Sequence, residues 1–329
     1  MQYRQLGKTG IEVSAMALGC WPFAGGKVWG EQSDADSIAT VHAGLDAGIN
    51  FFDTAEGYET GTSERVLGRG LLGRRHEAVI ATKVSPSHLA AGDLIAACEQ
   101  SLRNLQTDVI DLYQIHWPNW NVPIEESVVA LETLQRQGKI RAIGVSNFGV
   151  QDLSAILELT DVVTDQMPFS LLWRVIEGDL LPLCLGQGVG IICYSPLAQG
   201  LLTGRYASAD EVPEGLARTR HYAGSRPNSQ HGEPGCEAEV FEALAEVRRI
   251  ADGLGQPMAA VALAWVRQQA GVTSFLVGAR KPDELAWNLP SLELELSAEV
   301  VAELKRATEP VKRALGGNPD PWMSPSRMR

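Results

Sequence analysis

Short apolar runs alternate along this chain with stretches in which apolar residues recur every three or four positions. Ile38, Val41 and Leu45 keep helical spacing after Ser33-Asp34, and Gly48 supplies a stop. Ile49-Asn50-Phe51-Phe52 then reads as a buried strand closing at Asp53. The alternation repeats. A strand over 78–82 ends at Lys83, and the next helix carries Leu94, Cys98, Leu102 and Leu105 on one face. Residues 108–115 lead to His116; a helix with Val128, Leu131 and Leu134 stops at Gly138; residues 140–145 lead into Ser146-Asn147. With further strands predicted at 15–19, 162–164, 189–193 and 273–277, the pattern makes eight βα units. Eight parallel strands in a chain of this length predict an α/β fold, a (β/α)8 TIM barrel rather than an open sheet.

The polar residues that close successive strands recur at the repeat length. Asp53 and Lys83 lie 30 residues apart, Lys83 and His116 33, and His116 and Ser146 30. In a barrel, strand ends of this kind all face one mouth, where chemistry sits. Two segments break the rhythm. Residues 1–13, with Gly7-Lys8-Thr9-Gly10 between short alternating stretches, predict a β-hairpin capping the closed end. Residues 200–235 are rich in Arg, Gly, Pro, Ser and Asn, a length more usual for a lid than for a connection. The expected organisation is one domain over 1–329 with a lid loop at 200–235 and a tail at 315–329. Whether that tail, with Pro319, Pro321, Trp322 and Pro325, closes over the mouth is open at this level.

Composition narrows the classes. Hydrophobic residues make up 45% and charged residues 21% of the 329 residues, which excludes wholesale disorder. The net charge of −12 argues against a broad nucleic-acid footprint. The apolar runs are too short to span a bilayer. The opening MQYRQLGKTG lacks a signal-peptide core, and five cysteines without paired metal spacing read as reduced thiols, so a cytoplasmic location is expected. The six histidines are scattered, which predicts no metal site. Gly68-Arg69-Gly70-Leu71-Leu72-Gly73 spells a dinucleotide fingerprint, but a helix precedes it and a strand follows, the reverse of what that motif needs.

Asp53, Tyr58, Lys83 and His116 form the stronger constellation. A phenol has a pKa of about 10 and is a poor acid at neutral pH; a neighbouring ammonium favours its ionised form. Lys83 is placed to be that ammonium, Asp53 to hold it charged, and His116 to donate to a substrate oxygen. Such parts suit protonation of a carbonyl oxygen as hydride reaches its carbon.

The chain resembles the aldo-keto reductases nearly end to end. The likeness is carried by residues 50–58 (NFFDTAEGY), Thr82-Lys83, residues 112–118 (LYQIHWP), residues 138–148 (GKIRAIGVSNF) and Tyr194-Ser195-Pro196-Leu197. It implies a barrel that reduces aldehydes or ketones with a nicotinamide cofactor. Tyr58 would then be the proton donor, Lys83 and Asp53 would tune it, and His116 would orient the carbonyl. The hairpin and the Tyr-Arg-Gln-Leu-Gly start also resemble the cofactor-binding β-subunits of potassium channels, which implies a regulatory alternative with little turnover.

Cofactor residues follow from the same resemblance. Ser146, Asn147 and Gln166 would bind the nicotinamide carboxamide, and Tyr194 would stack on its ring. Ser195, Leu197, Gln199 and Gly200 open the segment that would cover the pyrophosphate. Gly278, Ala279, Arg280 and Lys281 resemble the segment gripping the adenosine 2′-phosphate, with Asn288 near the adenine. Glu284 stands where the family often has Arg or Gln, and Trp287 where it often has Glu. NADP(H) is therefore the favoured cofactor, with NAD(H) kept open by Glu284. Trp21, Phe23, Trp29, Trp117 and Trp120, on loops expected at the mouth, would line a pocket for a small carbonyl substrate. Neither a monomer nor a homo-oligomer is favoured, and no nucleic-acid or membrane partner is expected.

Overall fold

The computed structural model describes residues 1–329, apart from the side chains of Lys27 and Val28. Tyr3–Gln5 (β1) and Glu12–Ser14 (β2) pair antiparallel, with Tyr3 opposite Ser14. Eight parallel strands then close a barrel: Met16–Gly19 (β3), Phe51–Asp53 (β4), Val79–Val84 (β5), Ile110–Ile115 (β6), Ile140–Ser146 (β7), Thr164–Pro168 (β8), Gly190–Tyr194 (β9) and Val272–Gly278 (β10). Closure comes from pairing of β10 with both β3 and β9. Among the described residues no helix is long and apolar enough to cross a membrane.

Alternation of side chains along the strands divides the core in two. Ala17, Phe51, Ala81, Leu112, Ala142, Ile192 and Leu276 fill the barrel interior, and Leu6, Ile11 and Val13 of the hairpin join them as a plug. The larger apolar layer lies between strands and helices, where Trp265 is fully buried against Phe169, ring centroids 5.3 Å apart.

Local chemistry sets the helices. Asp34–Asp46 starts at Ser33, whose side chain accepts the Asp36 N–H, and buries Val41 and Leu45. Ala91–Leu105 buries Leu94, Ala97, Cys98 and Leu105. The glycine-rich run at 68–73 belongs to the end of helix Thr62–Gly70 and the turn beyond it. A Cβ on Gly68 would stand 2.6 Å from the Leu105 carbonyl oxygen, so that glycine permits helix packing rather than phosphate binding.

Strand ends shift by up to four residues from the sequence expectation, and two of the shifts bear on the site. The strand expected at 162–164 is Thr164–Pro168, and the one expected at 78–82 runs on to Val84. Both corrections extend a strand through polar residues. Lys83 and Gln166 are buried within the barrel, where partners inside it satisfy their polar groups.

Candidate active site

Asp53 ends β4 and Lys83 lies in β5, both buried at the same end of the barrel. Lys83 Nζ donates to Asp53 Oδ1 at 2.6 Å, to the Thr54 carbonyl at 2.9 Å and to the Tyr58 hydroxyl at 3.4 Å. Tyr58 sits on the loop that leaves β4. Its ring stacks on Trp21, centroids 5.4 Å apart, and meets His116 edge-on at 5.8 Å. His116 follows β6, and its backbone N–H donates to the Val84 carbonyl. Asp53, Tyr58, Lys83 and His116 therefore form one cluster.

Burial dominates the electrostatics. It pushes the Tyr58 phenol above its ordinary value, and the Asp53 carboxylate adds to that, outweighing the downward pull of Lys83. The sequence expectation of a net lowering by the ammonium is thus reversed in sign. Burial also pulls Lys83 down, yet Asp53 and Tyr58 raise it above the usual lysine value, so it stays an ammonium. His116 is lowered to about 3 by burial and then by Lys83, and is a neutral imidazole at physiological pH. The resting cluster is a protonated phenol beside an ammonium and a neutral imidazole.

The remaining predicted residues fall into four groups. Asn147, at a left-handed φ of 62°, gives its amide N–H to the His116 carbonyl and to Ser146 Oγ, and accepts from the Tyr194 hydroxyl at 2.8 Å. Ser146 Oγ donates to the Gln166 carbonyl, and Gln166 Nε2 donates to Asp53 Oδ2 at 2.8 Å. Beyond Tyr194, Ser195, Ala198 and Gln199 all hold positive φ, with Leu197 and Gly200 in the same turn. Non-glycine residues in that region carry strain of order 1–3 kcal/mol each, a state typical of ligand clamps. Gln199 Oε1 is buried with no protein partner.

Farther along the mouth, Arg280, Lys281 and Glu284 line an open cleft of about 1120 Å³ with Gln32, Ser33 and Asp36. Gly278 and Ala279 lead into it from β10. Arg280 is held by Glu284, through its backbone N–H at 2.9 Å and its guanidinium at 3.1 Å. Asn288 donates to the Glu284 carbonyl. Arg218 has a half-buried guanidinium whose Nε lacks a partner, a basic group that spacing alone did not single out.

Of the expected pocket aromatics, Trp21 touches Tyr58, and Trp29 packs edge-on against Trp21 at 5.7 Å. Trp117 contacts Trp322 of the tail. Phe23 is 2% exposed within the apolar core, and Trp120 is turned to Asp152, with the Arg329 guanidinium over its ring. Trp322, whose place the sequence leaves open, lies parallel to Tyr194; sequence reasoning missed Gln114, which reaches Asp53 Oδ2 at 3.4 Å. Gln114 had a readable signal: it shares the inward side of β6 with Leu112, two residues before His116.

A sequence model of the aldo/keto reductase family matches residues 15–309. The chain is 34% identical to the aldo-keto reductase YhdN of Bacillus subtilis, over 87% of each chain. It is 32% identical to the NADH-specific methylglyoxal reductase of Escherichia coli, covering 92% of this chain and 98% of that one. A solved aldo-keto reductase from Klebsiella pneumoniae in complex with NADPH superposes with a TM-score of 0.72 at 31% identity, covering 90% and 91% of the two chains.

Proposed function

The chain belongs to the aldo/keto reductase family, and from that premise we propose that it reduces aldehydes and ketones to alcohols, with Tyr58 as the proton donor. The carrying observation is the single ammonium of Lys83, which links the buried Asp53 Oδ1 to the hydroxyl of the half-buried Tyr58. A phenol held protonated by burial keeps its proton until negative charge develops on a carbonyl oxygen beside it. The ammonium then stabilises the phenolate that forms, and the neutral His116 ring can donate a hydrogen bond to the same oxygen. Asp53 keeps Lys83 charged throughout.

A nicotinamide cofactor, when bound, supplies the hydride. The fit of the mouth to such a group is supported by the partnerless Gln199 Oε1, the strained Ser195–Gln199 turn and the basic pair Arg280 and Lys281. Ser146, Asn147 and Gln166 would meet the carboxamide, and the face of Tyr194 opposite Trp322 the ring. Arg280, Lys281 and Asn288 would take the adenosine end. Arg280 and Lys281 favour NADP(H); Glu284, already on Arg280, keeps NAD(H) in play, and the similarity to an NADH-specific relative agrees with that. Aromatic walls from Trp21, Trp29 and Trp117 suit small apolar or aromatic carbonyl compounds. Residues 200–235 and the tail 315–329 would act as covers on a single domain.

The test is cofactor titration with NADPH and NADH, with turnover of 4-nitrobenzaldehyde and methylglyoxal on the same samples, for wild type and Tyr58→Phe. Turnover that depends on Tyr58 supports the reading; tight cofactor binding without turnover on a broad carbonyl panel overturns it.

A further inference from the structure

Asp53 has two carboxylate oxygens with different partners. Oδ1 accepts from Lys83, while Oδ2 accepts from Gln166 Nε2 at 2.8 Å and from Gln114 Nε2 at 3.4 Å. All four side chains are almost wholly buried. The register builds this layer: Lys83 on β5 lies beside Gln114 on β6, and Gln114 beside Gly144 on β7. A Cβ on Gly144 would stand 3.0 Å from Gln114 Cγ, so the missing side chain at 144 leaves the space that Gln114 occupies. Gln114 Oε1 finds no protein partner, which makes the N–H on Asp53 the polar contact this amide adds. Its orientation follows from charge: turned over, the amide would set its oxygen against a carboxylate.

We propose that Gln114, together with Gln166, is a positioning residue that clamps Asp53 Oδ2 so that Oδ1 stays on Lys83, and that it thereby sets the upper pH limit of turnover. Both amides are neutral donors, so they steady the anion without competing with Lys83 for its charge. The titratable groups around Asp53 are Lys83 on β5, Tyr58 on the loop after β4, the Cys20 thiol after β3 and His116 after β6. Of these, Lys83 alone is a cation held by Asp53. With the clamp loosened, the carboxylate drifts, Lys83 loses part of its stabilisation, and it sheds its proton at a lower pH. Tyr58 is then left without the ammonium that makes it a usable acid. The inference rests on the reading of Tyr58 as proton donor.

The experiment is the pH profile of kcat and kcat/KM for aldehyde reduction at saturating NADPH, in wild type, Gln114→Leu and Gln114→Met. The alkaline limb is expected to move down by about 0.5–1 pH unit in both variants, with NADPH affinity unchanged. A uniform fall in rate with the limb in place, or an unaltered profile, would overturn the clamp. So would loss of the fold in both variants, which would make Gln114 a packing residue. Tyr58→Phe separates the two ideas. If it retains turnover, the donor reading and the clamp fall together; if it is inactive while the Gln114 limb stays put, the clamp falls alone.

Discussion

Trp322 lies parallel to Tyr194, with ring centroids 5.9 Å apart and planes within 9°. The contact brings the tail onto the mouth of the barrel, and a short network holds it there. Fully buried Asp320 accepts from the backbone of Trp322, Met323 and Arg327 and pairs with the Arg327 guanidinium at 2.8 Å. Arg220, in the 200–235 loop, donates to the carbonyls of Leu315, Asn318 and Asp320. The Arg329 carbonyl accepts from Gln151 and Asp152 at the start of helix Val150–Leu157.

Loosening that network should free the tail. Asp320→Asn removes the charge that holds Arg327 and weakens the turn carrying Trp322. We expect loss of about 1–3 kcal/mol of stability and faster NADPH dissociation in stopped-flow fluorescence. Trp322→Ala should raise KM for aromatic aldehydes more than for methylglyoxal. An unchanged dissociation rate and equal effects on both substrates would show that the tail does not gate the site.

Glu284 should weigh on cofactor choice through Arg280. Its carboxylate occupies the guanidinium that a 2′-phosphate would need, and both side chains are partly exposed. Glu284→Gln should therefore raise the affinity for NADPH relative to NADH by about three- to tenfold. Parallel titrations of the two cofactors measure the ratio, and a ratio equal to wild type would remove Glu284 from cofactor selection.

His116, lowered to about 3, and His221, lowered to about 4, bind fewer protons in the fold than in the unfolded chain below about pH 6.5. Burial is the largest cause for both. The unfolded chain gains protons first as pH falls, so stability is fully present above pH 6.5 and declines from there toward pH 4. Melting curves over that interval should show the decline. NMR of His116 should show a neutral ring from pH 5 to 8, whereas a titration midpoint inside that range would contradict the assignment.

Much of this was legible along the chain because the signals were local. The eight strands announced themselves as short apolar runs at a regular interval, and Asp53, Lys83 and His116 stood near their ends. Tyr58 follows Asp53 by five residues, on the loop that leaves the same strand. Other features depend on pairings across the barrel. The upward displacement of Tyr58 needs its burial, which no spacing encodes. The strand expected at 162–164 runs on to Pro168 through Gln166, whose partner Asp53 lies 113 residues away. Trp322 meets Tyr194 only through the fold of the tail, and the ion pair of Glu284 with Arg280 emerges once helix Pro282–Ala286 is formed.

The central claim is that Tyr58 delivers the proton while Lys83 and Asp53 prepare it. The most direct measurement compares wild type with Tyr58→Phe at saturating NADPH, following aldehyde reduction and cofactor affinity on the same preparations. The account predicts a fall in turnover of about 10²–10⁴-fold with cofactor affinity within about twofold of wild type, since the phenylalanine ring keeps the stack on Trp21. Retention of turnover by Tyr58→Phe would contradict it.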